Sequence, residues 1–282
     1  MDSKGCRLAS VIVATVMLAL IPLFNAYPAR LFYNSLEDQD AVEASSGAVY
    51  PIQKQEAKNF EKVQVGRGFF ANEAGQAVSF PVESKKGKPH IILEAGTFAF
   101  WVDVRHPVGE WGGDGGGAQS WIFYCRNSNK TDAWAIAHSH PNERFGITYL
   151  IKKDRFDHFV LAKVDKAKWK KGLHHIAATW GPKGMQLYLD GELTGMPFPD
   201  ELKGGPNQLD DNFWIGNRDI DLDPKQNQTL FARWVVDEFY IFDTQLEQAE
   251  IQKVMDSPGP QAVDPSNALP LTWGRLKSEA LR

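Results

Sequence analysis

The sequence predicts an all-β fold, a sandwich of two antiparallel sheets. Three observations carry this. Short runs of alternating apolar and polar residues recur along the chain. Clusters of Gly, Pro, Asp and Asn separate them. Helical periodicity is almost absent. The runs that read as strands are Phe98 to Val104, Trp121 to Cys125, Ala133 to His140, Arg144 to Lys152, His158 to Val164, His174 to Trp180, Met185 to Asp190, Phe213 to Gly216 and Trp234 to Phe242. Turn signals fall at Asn127-Ser128-Asn129, Pro141-Asn142, Gly181-Pro182, Asp190-Gly191 and Gly204-Gly205-Pro206. A chain of 282 residues can hold one large β domain of this kind.

Each element has a local reason. Asp190-Gly191 supplies the positive-φ pair of a tight hairpin. Before it, alternation puts Met185, Leu187 and Leu189 on one face and Gln186 and Tyr188 on the other. On the last strand the same rule puts Val235, Asp237, Phe239 and Ile241 on one face. One short helix is expected over Leu246 to Met255, with Thr244 as its N-cap. The first residues read as an apolar leader helix: Lys4 and Arg7 flank a charge-free run from Leu8 to Phe24. The expected organisation is a signal peptide or membrane anchor over 1–26, a β-sandwich over 27–256 and a Pro-rich extension over 257–282. In that extension Leu271, Trp273 and Leu276 could dock. The leader implies a secreted or extracytoplasmic protein, with residues 8–24 as its membrane tether where they are retained.

Composition narrows the function. The net charge is −4 and the Lys and Arg residues are scattered. Nucleic-acid binding needs a basic stripe to replace phosphate counterions, so it is excluded from the expected partners. The two cysteines are Cys6, before the leader run, and Cys125, within a strand-like run. A disulfide framework is not expected, and Cys125 reads as a buried, inert thiol.

Several segments, in order, carry a family resemblance. Gly66-Arg67-Gly68 with Gly75 to Phe80, and then Gly96 to Val102, resemble two early strands of the laminin-G-like, concanavalin A-like lectin/glucanase superfamily. Trp169 to Trp180, a Gly-Pro turn and Met185 to Leu193 resemble its "W-x-H-V-A-x-T…L-Y-V-D-G" hairpin. Phe213 to Asn217 resembles its "I-G" strand. Val236 to Phe242, with Leu246 and Glu250-Ile251, resembles its closing segment. Pro81-Val82 depart from the Phe-Asp-Gly often found after the opening strand. The resemblance implies a concanavalin A-like jelly roll and a binding module for a glycan or an extracellular protein. It also implies that Asp237 holds a structural calcium or ties down the N-terminal strand. The residues alone leave Asp237 open between a hydrogen-bonding tie, a calcium ligand and a surface position. His175 matches a histidine of the family, and a hydrogen-bonding role at the core edge is expected for it.

Catalysis is not expected. Sandwich-type glycosidases set two carboxylates on one strand as E-x-D-x-E or E-x-D-x-x-E, and neither pattern occurs. His-Glu-x-x-His, Gly-x-Ser-x-Gly and a P-loop are absent as well. Gly112 to Gly117 reads as a flexible loop. The acidic loop Asn217 to Pro224 has carboxylates at alternate positions, but Pro224 and Leu230 stand where an EF-hand needs Gly and Glu. His138 and His140 are expected on one strand face, able to meet a metal or a sugar hydroxyl, or simply to end the strand. The expected ligand-binding residues are Trp111, Asp114, His138, His140 and Arg144, with loop aromatics stacking and polar groups reading hydroxyls.

Overall fold

The computed structural model describes residues 28–50, 59–63, 66–73, 75–105, 120–140, 143–165, 167–198, 202–217 and 232–259. They form sixteen strands and two short helices. The strands are β1 (Arg30–Asn34), β2 (Ala48–Tyr50), β3 (Phe60–Lys62), β4 (Arg67–Phe70), β5 (Ala77–Pro81), β6 (Gly96–Val104), β7 (Ser120–Arg126) and β8 (Ala133–His140). There follow β9 (Glu143–Lys153), β10 (Phe156–Lys163), β11 (Gly172–Trp180), β12 (Gln186–Leu189), β13 (Glu192–Thr194), β14 (Met196–Phe198), β15 (Asn212–Ile215) and β16 (Val235–Phe242). The helices are α1 (Gln39–Ala44) and α2 (Gln248–Asp256).

Two eight-stranded antiparallel sheets result. The first runs β13-β12-β11-β6-β16-β4-β3, with β1 also on β16; the second runs β14-β10-β9-β8-β7-β15-β5-β2. The hairpin between β11 and β12 closes as expected, with Asp190 at φ 52° and Gly191 at 77°. The β9–β10 hairpin uses two left-handed residues without glycine, Asp154 at 51° and Arg155 at 72°. That turn carried no glycine signal in the sequence.

The core lies between the sheets. Phe239 stacks on Phe100 at 5.3 Å and on Phe123 at 5.8 Å, which joins the two sheets through one ring. Leu187, Leu189, Trp180, Trp134 and Phe213 complete this layer. Burying each such side chain contributes about 1.5–3 kcal/mol. Two indoles of this layer satisfy their N–H groups: Trp180 donates to the Ile92 carbonyl at 2.9 Å and Trp134 to the Tyr149 hydroxyl at 3.2 Å.

Three expectations are corrected. The apolar leader helix, and the extracytoplasmic address and membrane tether read from it, are not supported: no helix among the described residues is long and apolar enough to cross a membrane. Residues 1–26 and the tail residues Leu271, Trp273 and Leu276 lie outside the described residues. The second correction concerns the C-terminal helix, which begins at Gln248 after Glu247, not after Thr244. Thr97 explains this. Its hydroxyl donates to the Thr244 carbonyl at 2.8 Å and accepts the Leu246 N–H at 2.9 Å, holding that segment extended along β6. The helix then starts with the Glu247 N–H donating to the Glu250 carboxylate at 2.8 Å.

The third correction lies on β16. Val236, Phe239 and Ile241 belong to the inter-sheet core, whereas Val235 packs outside with Phe70 and Val63. The register on β6 shifts between Asp237 and Tyr240, and Glu238 adopts φ 51°. This bulge inserts one residue and reverses the alternation. Asp237 therefore shares the outer face with Val235, and Phe239 and Ile241 point inward.

Candidate functional site

Three of the residues expected to meet a ligand, His138, His140 and Arg144, lie at one end of the second sheet. There β7 begins and β8 ends, with Ser120 opposite His138 and His138 opposite Ile147. Arg144 lies at the start of β9, and His140 pairs with Glu143. The side chains of His140 and Arg144 lie outside the described residues, as do Trp111 and Asp114 entirely.

His138 is a core residue. It is 1% exposed, its Nε2–H donates to the Ala232 carbonyl at 2.6 Å, and its ring lies flat on Trp234 at 4.1 Å. Trp234 leads to Trp169 at 6.1 Å, and Trp169 stacks on His174 at 4.1 Å. An aromatic column thus crosses this end of the sandwich from β8 to β11. Its far end is fixed by Asp190, whose carboxylate accepts from His174 Nδ1 at 3.0 Å and from the His175 N–H at 3.0 Å, beside Lys168 Nζ at 3.3 Å. Those donors hold the Asp190 carboxyl below its ordinary range despite partial burial, which pulls it the other way. The register between β8 and β9 shifts after His138, so His138 and His140 are not related by simple alternation.

The outer face of the second sheet was not read from the sequence as a site. One row across it runs Trp214, Tyr124, Ala135, Leu150, Phe159. The next runs Trp121, Ala137, Thr148, Leu161. Trp121, Tyr124, Ala135 and Ala137 form their own apolar cluster with Leu150 beside it. Within it the Trp121 Nε1–H and the Thr148 hydroxyl, on either side of Ala137, are enclosed and have no hydrogen-bond partner. A signal was present. Trp121-Ile122-Phe123-Tyr124-Cys125 is apolar at both parities, and a strand apolar on both faces is one covered on both faces.

The outer face of the first sheet carries Asp237 and Glu238. Asp237 is 3% exposed, stands opposite Trp101, and accepts the Glu238 N–H at 2.9 Å. Glu238 makes the tie to the N-terminal strand. Its carboxylate accepts the Tyr33 hydroxyl of β1 at 2.9 Å and lies 3.0 Å from the Tyr240 hydroxyl. The Arg30 guanidinium sits 5.0 Å above the Tyr33 ring. Among the described residues, no group of three or more His, Cys, Asp or Glu side chains is placed to hold a metal ion. Cys125 is a buried thiol that donates to the Asn212 carbonyl at 3.3 Å.

The two antiparallel sheets have the architecture of a jelly roll. The family model described as "Concanavalin A-like lectin/glucanases superfamily" matches residues 72–252, well over half of the chain. The chain belongs to this superfamily. No curated protein sequence matches it. Among solved structures it is similar to the binding domain of botulinum neurotoxin serotype D, at 14% identity and a TM-score of 0.55, over 81% of this chain and 51% of that one. It is also similar to the receptor binding domain of the botulinum neurotoxin C/D mosaic serotype, at 12% identity and a TM-score of 0.54, over 80% and 51% of the two chains. The chain spans about half the length of these structures. At such identities the likeness shows the fold. Both are binding domains by name.

Proposed function

We propose that the protein is a non-catalytic module that binds a carbohydrate or glycoconjugate through the outer face of its second sheet. The observation that carries this reading is the row Trp121–Ala137–Thr148. It offers a flat apolar floor with an indole N–H on one side and a hydroxyl on the other, neither used by the protein. A few placed polar groups in an aromatic, apolar surround are what orients a small ligand. Both polar atoms are enclosed, so binding at this row requires the face to open. Trp111, Asp114, His140 and Arg144 are proposed as rim contacts, by their position in the chain near the ends of β7, β8 and β9. His138 is proposed to brace that end from the core. For Asp237 we propose a hydrogen-bonded structural role in place of a calcium ligand.

Glycan-array screening followed by calorimetry on the full chain tests the reading. Trp121→Phe keeps an aromatic face but removes the pyrrole ring with its N–H, and Thr148→Val removes the hydroxyl. Each is expected to weaken sugar binding by about 1–3 kcal/mol, the scale of a buried polar group left unpaired. Absence of any glycan ligand, or binding untouched by both variants, defeats it. One observation favours a second reading, protein recognition. The row from Trp214 to Phe159 is apolar across five strands; Trp214, Tyr124 and Ala135 are buried in it, and uncovered it would be a broad apolar face of the kind that marks protein contacts. Self-association in sedimentation that Leu150→Lys abolishes would favour that reading.

A further inference from the structure

His175 lies on the outer face of the first sheet, opposite Trp101 of β6, whose ring meets its imidazole edge to face at 5.1 Å. The imidazole is fully buried, and neither ring nitrogen has a hydrogen-bond partner. Its backbone, by contrast, is fixed. The N–H donates to Asp190 Oδ1 at 3.0 Å and the carbonyl accepts the Asp190 N–H at 2.8 Å. Helix α2 lies over the same hairpin. Gln252 Nε2 donates to the Gly191 carbonyl at 3.4 Å, and a Cβ added at Gly191 would stand 3.1 Å from Gln252 and 3.3 Å from Met255. Ile251 and Val254 of the helix share an apolar cluster with Ala177 of β11 and Tyr188 of β12. Hairpin and helix are therefore packed together, and on the same face the His175 imidazole has no group to accept the N–H protons of its charged form.

We propose that His175 is an acid trigger: on taking up a proton it can keep its charge only by reaching water, which opens the β11–β12 hairpin and lifts α2 from the first sheet. His174, next in the chain, shows the contrast. It faces the other way, stacks on Trp169 and has the Asp190 carboxylate waiting at 3.0 Å. The charged groups on the elements around His175 are few. Asp190 stands on the adjoining turn, already shared by His174 and Lys168. Asp103 and Arg105, at the end of β6, pair with each other at 3.0 Å. Asp237 and Glu238 lie on β16, Glu238 with its two tyrosine hydroxyls. Glu250, Lys253 and Asp256 lie on α2.

Burial pushes the His175 imidazole down to about 4, against the pull of Asp190. Once opened, it titrates near the ordinary value of about 6.5. The folded pKa is the lower one. The closed form therefore has its full advantage above about pH 6.5 and loses about tenfold per pH unit as the pH falls toward the folded pKa.

Hydrogen–deuterium exchange on the full chain, corrected for intrinsic rates, tests this at pH 7 and pH 5. Opening of Gly172–Trp180 and Gln248–Asp256 should rise roughly 20-fold from pH 7 to pH 5 in the wild type. It should stay level in His175→Phe and in His175→Gln, which cannot titrate. An NMR titration of the wild-type His175 Cε1 proton should show the ring neutral at pH 5. An equal rise in either folded variant, no rise in the wild type, or a folded-state titration near 6.5 overturns the proposal. If His175→Phe does not fold, the glutamine variant and the wild-type titration decide.

Discussion

Removing the Tyr33 hydroxyl tests the outer-face tie most directly. Glu238 occupies a left-handed backbone position at the point where β16 passes from one neighbour to another. Val235 and Val236 pair with β4, and Phe239 to Phe242 pair with β1. A non-glycine residue there costs roughly 1–2 kcal/mol, and the hydrogen bonds of its carboxylate help to offset that cost. The Tyr33 hydroxyl has one proton and spends it on Glu238 Oε2 at 2.9 Å. The Tyr240 proton is contested, because the Gly259 carbonyl lies 2.8 Å from the same hydroxyl. Tyr33→Phe is therefore the cleaner deletion. A hydrogen bond to a charged group contributes about 1.5–3 kcal/mol. Tyr33 is only half-buried, so the lower part of that range is expected, about 1.5–2 kcal/mol. Glu238→Gln should cost about 2–3 kcal/mol, since it weakens both bonds and leaves the strain in place. The double variant should cost clearly less than the sum of the two, because one interaction is being removed twice. Urea denaturation of the four proteins measures all of this. A Tyr33→Phe loss below about 0.5 kcal/mol, the scale of an ordinary surface change, or full additivity, would show that β1 is held by its ladder and by Phe32 alone.

Other outcomes follow from single contacts. Leu187→Ala, at a fully buried core position, should lose about 2–5 kcal/mol in chemical denaturation. Gly205→Ala should lose about 1–3 kcal/mol, because the new Cβ would stand 2.7 Å from the Trp134 ring and 2.8 Å from the Leu93 carbonyl; an unchanged denaturation midpoint would mean the loop moves aside freely. Asp237→Asn should lower the melting temperature, and EDTA should leave both wild type and variant where they were; a fall with EDTA in the wild type alone would put a calcium at Asp237.

Much of the sandwich was legible because its strands are signalled by period and bounded by turn residues. The hairpin around Asp190-Gly191 is the clearest case. Leu187 and Leu189 point inward and Tyr188 outward, as alternation requires. Strands β1 to β3 were less legible. Two are three residues long, and β1 depends on a partner some two hundred positions away, which no local pattern reports. Thr244 failed as an N-cap for a related reason: its carbonyl and the Leu246 N–H are claimed by Thr97 from another strand.

The polar residues were harder to read than the apolar ones, and β16 shows why. Alternation is a rule about neighbours, and one inserted residue reverses it for every position beyond. Asp237 was placed with Phe239 and Ile241, yet the bulge at Glu238 puts it on the opposite face from both. The expected tie to the N-terminal strand exists, but the adjacent carboxylate makes it. Nothing in Val235-Val236-Asp237-Glu238-Phe239 marks the bulge, since a left-handed glutamate carries no compositional sign. The same limit applies to His138 and His175. One imidazole is satisfied by the Ala232 carbonyl and a tryptophan face, whereas the other is buried with nothing to bond. Both are histidines within strands, and both are buried. What separates a bracing histidine from a proton-sensitive one is the presence of a carbonyl oxygen 2.6 Å away, and only the fold supplies that.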